Sequence, residues 1–215
     1  IYGLREIIGN NDYQKKIKNC GKKVENEKHL KKEIHMSLWI GFMCMKNLAK
    51  QYGSQAKNVM KNTLYLQSLL MGRGVTFACS GNDYTLYDDD NLGRAFGAKF
   101  DSKLLRETRA LEEDIPLVIL QSKMISQARN GSSSQTFLLR RTIFHEMMHL
   151  PGYFHDPDSR VDPVSEMENC CFHNSYQGII GIKKNYKRLN NLLKNHHNYP
   201  DQNSPFCKNF INYAI

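Results

Sequence analysis

Apolar residues recur at helical spacing from about Val24 to Tyr52. Leu30, Ile34, Leu38, Phe42, Met45, Leu48 and Tyr52 share one face, with lysines and glutamates on the other. The pattern predicts a long amphipathic helix ended by Gly53. A second helix is expected from about Gln55 to Met71, closed by Gly72-Arg73-Gly74. The texture then changes. Val75-Thr76-Phe77-Ala78-Cys79 reads as a strand, Tyr84-Thr85-Leu86-Tyr87 as another, and Ala95 to Phe100 as a weaker one. Ser102 to Glu113 suits a short helix, and the apolar run Pro116 to Leu120 is long enough for a buried strand and short for a helix. After the polar loop Asn130 to Ser134, Ser133 or Ser134 is placed to cap a helix carrying Phe137, Leu138, Arg141, Phe144, His145, Met148 and His149. Ser175 to Asn195 reads as a final helix, followed by an irregular tail with Cys207. Helices around a central group of strands make a mixed α/β (α+β) fold, and no repeat or low-complexity linker divides residues 1–215 into separate domains.

The stretch His145-Glu146-Met147-Met148-His149-Leu150-Pro151-Gly152-Tyr153-Phe154-His155 carries the chemistry. Residues four apart on a helix stand one turn above each other, so His145 and His149 can aim two imidazoles at one metal ion. Glu146 lies one step round, within reach of a water there. Gly152 permits a positive φ that ends the helix, and the reversal can return His155 as a third ligand. Three imidazoles with an open position describe a catalytic zinc site rather than a structural one.

These residues resemble the metzincin metallopeptidases, whose signature is HExxHxxGxxH followed by a methionine turn. All five specified positions match, and Asp156 after the third histidine is similar to the adamalysin-type HExxHxxGxxHD form. The resemblance implies a twisted sheet with a backing helix and an active-site helix in an upper lobe, residues 1–155 here. A small irregular lower lobe, 156–215, would hold the turn and a C-terminal helix. It implies one Zn2+ held by His145, His149 and His155, Glu146 as the general base of peptide-bond hydrolysis, and Met167 as the turn methionine. Asn169 stands where some metzincins carry an additional tyrosine ligand, so no fifth protein ligand is expected. The expected activity is that of a zinc-dependent endopeptidase on protein or peptide substrates. The substrate strand would lie along a sheet edge, within Arg94 to Phe100 or Leu117 to Ser126, and the specificity pocket wall would fall in Glu168 to Tyr176. The alternative is a catalytically silent metzincin-like binding module, an adhesin or toxin component, against which the intact Glu146 argues.

Other candidates are weaker. Asp88-Asp89-Asp90-Asn91 offers oxygens for calcium but lacks the spacing of an EF-hand, and a solvated acidic loop is the simpler reading. His173 and Tyr176 could contact substrate or an oxyanion, though surface positions suit them better. His196-His197 reads as a surface pair. Cys20, Cys44, Cys79, Cys170, Cys171 and Cys207 include no CxxC pair, which disfavours a cysteine zinc site. Six cysteines are compatible with three disulfides in any of fifteen connectivities, or with buried thiols. A bond from Cys170 or Cys171 to Cys207 would tie the lower lobe together, and Cys20 as an inhibitory thiolate on zinc is a lesser option. Disulfides, with the sequon Asn130-Gly131-Ser132, suit a secreted or extracellular (or periplasmic) protein. The chain begins at Ile1 without a basic-then-apolar leader and reads as a processed form.

Charge sharpens this picture little. The formal net charge is +9, arising as +9 over residues 1–80, −5 over 81–170 and +5 over 171–215. The N-terminal lysines Lys15, Lys16, Lys18, Lys22, Lys23, Lys28, Lys31 and Lys32 fall at the start of the helical pattern without interleaved aromatics, so a solvated helix face is expected and a nucleic-acid partner is not. Contact with an anionic surface is the residual role for them. No apolar run reaches the length of a membrane span, and a monomer is expected.

Overall fold

In the computed structural model, the described residues are 15–18, 24–72, 74–81, 86, 91–96, 116–153, 155, 162–183, 186–196 and 199–213. The fold is mixed α+β and mostly helical. Its elements are β1 (Lys15–Lys18), α1 (Val24–Tyr52), a 3-10 turn (Gly53–Ala56), α2 (Lys57–Met71), β2 (Val75–Cys79), β3 (Gly93–Phe96) and β4 (Leu117–Leu120). They continue with α3 (Ser122–Asn130), α4 (Ser133–His149), α5 (Pro163–Cys171), the short α6 (Gln177–Ile180), α7 (Tyr186–Asn195) and α8 (Pro205–Asn212).

The four strands form one sheet in the order β1-β2-β4-β3. β1 and β2 run parallel, as do β2 and β4, with Thr76 opposite Leu117. β3 is antiparallel to β4, with Gly93 opposite Leu120 and Phe96 opposite Leu117. Every residue of β2 and β4 is buried, as continuous apolar strands inside a sheet should be. Among the described residues β3 pairs only with β4 and forms one edge of the sheet, with β1 at the other, whereas β4 is interior and α3 follows it.

α1 has the predicted limits, but its middle is enclosed on all sides. Met36 through Phe42 are all buried, which fits a segment whose only polar side chain is Ser37. It packs on α2, α3, α4 and α5. Ser37 Oγ donates to the Arg140 carbonyl at 2.5 Å, satisfying that buried hydroxyl. Where α1 crosses α4, Gly41 lets the ring of Phe144 approach: a Cβ there would fall 2.0 Å from it. Inside the same interface Arg140 Nε donates to Glu33 Oε2 at 2.5 Å, with both side chains essentially inaccessible. Arg140 Nη1 also donates to the carbonyl of Ile180.

Several expectations change. Lys15–Lys18 pair as a strand with β2 rather than beginning a helix, because their backbone completes the ladder of a buried neighbour; Lys28, Lys31 and Lys32 do lie on α1. Ser132, not Ser133 or Ser134, is the N-cap residue of α4, and its side chain makes no capping bond. The helix expected over Ser175–Asn195 breaks into a 3-10 turn (Asn174–Tyr176), α6 and α7, parting at Gly181, where the chain passes against the Ser133 carbonyl. The tail contains α8, opened by Ser204 with Pro205 at its first turn, a signal passed over because the segment is short. The strand proposed at 84–87, the helix at 102–113 and the calcium candidates Asp88 to Asp90 lie outside the described residues, apart from Leu86, which is in no element.

Two disulfides fasten α5: Cys44–Cys171 to α1 and Cys170–Cys207 to α8, with Cα separations of 5.7 and 4.7 Å. Cys79 is disulfide-bonded as well, and Cys20 lies outside the described residues. Cys44, Cys170 and Cys171 also crowd together, but their sulfurs are spent in these bonds and offer no ligand. No helix among the described residues is long and apolar enough to cross a membrane.

Candidate metal centre

α4 presents one stripe to a cleft of about 740 Å3: Leu138, Arg141, Thr142, His145, Glu146 and His149. The spacing of these residues is that of a single helical face. Opposite them the cleft is lined by Asn91 to Ala95, including the start of β3, and by His155 and Glu168. The helix ends at His149. The Gly152 N–H donates to the His149 carbonyl at 3.0 Å, and Gly152 has φ +104°, the positive value anticipated for the reversal. The chain then turns back and brings His155 to the other two histidines.

The ligand nitrogens of His145, His149 and His155 all fall within 4.8 Å of one another. His145 Nε2 and His155 Nε2 are 3.1 Å apart. Each ring is held from behind through Nδ1. His145 Nδ1 donates to Glu168 Oε1 at 3.1 Å, His149 Nδ1 to the Tyr153 carbonyl at 2.6 Å, and His155 Nδ1 to Asp162 Oδ2 at 2.6 Å. Carboxylate and carbonyl oxygens only accept, so each Nδ1 carries a proton, and in the neutral ring that leaves Nε2 with the free lone pair. Two such lone pairs at 3.1 Å repel unless a cation lies between them. Nitrogens about 2.0–2.1 Å from a tetrahedral zinc stand roughly 3.3 Å apart, so the donor set and its spacing fit zinc. Nδ1 anchoring by carboxylates and carbonyls is also the usual outer support of metal-binding histidines.

Burial sets the electrostatics. It pushes the Glu146 carboxyl up to about 7, offset partly by His145 and reinforced by Glu168. It pushes His149 down to about 4, with His145 adding to the effect. At His145 burial opposes charge, but the hydrogen bond to Glu168 together with the negative charges of Glu168, Glu146 and Asp162 holds the ring above its ordinary value. Glu168 is likewise buried, yet His145 and Arg141 together hold its carboxyl below the usual range. Asp162 is lowered by its bonds to His155 and Ser165.

β3 presses on Glu146. A Cβ at Gly93 would lie 2.6 Å from both Cγ and Oε1 of Glu146, so only glycine leaves room for the carboxylate. Gly93, a lone glycine before a weak strand, carries no sequence signal of a site residue, and Glu168 is expected from the sequence only as the start of a pocket wall and not as a partner of His145. Asp162 is an acid on His155, and Asp156 lies outside the described residues.

Met167 is fully buried, but on helix α5 instead of a turn. Asp162 caps this helix by accepting from the N–H groups of Val164 and Ser165, Pro163 fills its first turn, and nothing breaks it before Phe172. Asn169 is on the same helix and does not line the cleft. Of the expected wall Glu168 to Tyr176, Glu168 alone lines the cleft. His173 bonds Ser175 Oγ and packs on Phe206, and Tyr176 Oη accepts from the Asp201 N–H, so neither reaches the site. His196 packs against the Tyr176 ring, while His197 lies outside the described residues. No protein-family model matches the chain, and comparisons with curated proteins and solved structures give no match.

Proposed function

We propose that this chain is a zinc-dependent endopeptidase of metzincin type, acting outside the cytosol. The observation that carries the reading is the convergence of three imidazole Nε2 atoms beside a buried glutamate, in a cleft bounded by a sheet edge. His145, His149 and His155 hold the metal, and Met167 belongs to the apolar base of the lower lobe. A zinc ion held there would supply Lewis acidity toward a peptide carbonyl and an attacking water. Glu146 takes a proton from that water as its oxygen bonds to the carbonyl carbon. It returns the proton to the departing nitrogen as the C–N bond breaks, so the carboxylate is regenerated. The outer edge of β3 offers its backbone to an extended substrate, which would add as a further strand and be oriented by main-chain hydrogen bonds.

The test is metal analysis of the purified chain, together with cleavage of a denatured protein mixture with and without a zinc chelator. One zinc per chain and cleavage abolished by chelator are expected. Stoichiometric zinc without chelator-sensitive cleavage would instead favour a silent binding module.

The contact between β3 and Glu146 gives a second expectation. In Gly93→Ala the new methyl must displace the carboxylate, the soft partner in that contact, and a base moved by about 1 Å costs up to ~10²-fold in rate. The loss should fall on kcat with zinc content retained. Unchanged kcat in a folded Gly93→Ala protein would show that the carboxylate's place against β3 does not matter.

A further inference from the structure

The imidazole of His145 is steadied by a residue outside the motif. Glu168 bridges two successive turns of α4: Oε1 accepts from His145 Nδ1 at 3.1 Å, and Oε2 accepts from Arg141 Nη2 at 3.0 Å. Its side chain is only 13% exposed, so water competes weakly for either bond. The corresponding carboxylate on His155, Asp162, is 28% exposed and faces a half-exposed ring. Both acids belong to the same helix, Asp162 as its N-cap and Glu168 in its second turn, two residues before Cys170.

We infer that Glu168 is a positioning residue of the metal centre: tethered by Arg141, it fixes the tautomer and aim of His145, so that part of the metal affinity resides in α5. This rests on the reading of the three histidines as metal ligands, though not on peptide hydrolysis. A carboxylate can serve both neighbours because it accepts at each oxygen. An amide cannot: with its oxygen toward His145, its NH2 confronts the Arg141 guanidinium, donor against donor. Outer-sphere partners of ligating histidines contribute about 10–100-fold to metal affinity.

The experiment is a competition titration of Zn2+ against a chromophoric chelator, using the purified chain and its Glu168→Ala, Glu168→Gln, Arg141→Met and His145→Ala variants. Wild type should bind one zinc and His145→Ala should lose it. Glu168→Ala should weaken binding about 10–100-fold. Glu168→Gln should lie between that variant and wild type, and Arg141→Met should weaken binding less than Glu168→Ala. The Co2+-substituted proteins should also differ in their visible absorption, which reports ligand geometry and not fold. If wild type binds no zinc, the ligand assignment itself falls. If wild type binds and Glu168→Ala binds equally well with the same Co2+ spectrum, the role given to Glu168 is overturned. Should Glu168→Ala fail to fold, the change at the partly exposed Arg141, Arg141→Met, decides: unaltered affinity and spectrum there overturn the tethered arrangement.

Discussion

Glu146→Gln is expected to abolish peptide-bond cleavage while leaving the zinc content unchanged. The glutamine is nearly isosteric, so it fits the slot between α4 and Gly93, where Glu146 is only 5% exposed. It cannot take a proton from water, and the loss of a general base is worth about 10²–10⁴-fold in kcat/KM. The three imidazoles and their Nδ1 supports do not involve Glu146, so metal stoichiometry should match wild type. Turnover of a peptide substrate and metal content, measured on the same preparation, check the result. Normal turnover would remove Glu146 from the mechanism.

The second large effect is on stability. Arg140 and Glu33 form a buried pair between the motif helix and α1, and Arg140 also satisfies the Ile180 carbonyl. Arg140→Met leaves a carboxylate and a carbonyl in the core without that donor, and breaking a buried pair on one side costs about 3–5 kcal/mol. The double variant Arg140→Met/Glu33→Leu removes both charges and should recover much of the loss. Urea unfolding midpoints of the two variants and wild type measure this. A single-variant loss under about 1 kcal/mol would mean that Glu33 is readily neutralised or hydrated in the fold.

The contrast between these two regions shows what was legible in the sequence. The extents of α1, β2 and β4, and the end of α4 at His149, follow from periodicity and local backbone chemistry, which act over a few neighbouring residues. The three histidines were legible for the same reason: a helical repeat and a glycine reversal bring them together. Glu168 and Asp162 reach the site through the packing of α5 on α4, and no spacing along the chain announces a contact of that kind. Gly93 matters through a close approach across the cleft and was equally silent. Lys15–Lys18 are strand because a neighbour pairs with them, an influence that composition does not carry. The helix α5 was hidden by the resemblance itself, which led to a turn around Met167 where Asp162 and Pro163 begin a helix.

If the proposed peptidase activity holds, the Cys44–Cys171 bond has a consequence for it. Its two ends are 127 positions apart, and between them lie β2, β3, β4, α3, α4 and all three histidines. A single self-inflicted cut anywhere in that span leaves the pieces covalently joined. The nicked protein would keep its full mass until a reductant is added, and the severed part could not diffuse away with the metal ligands.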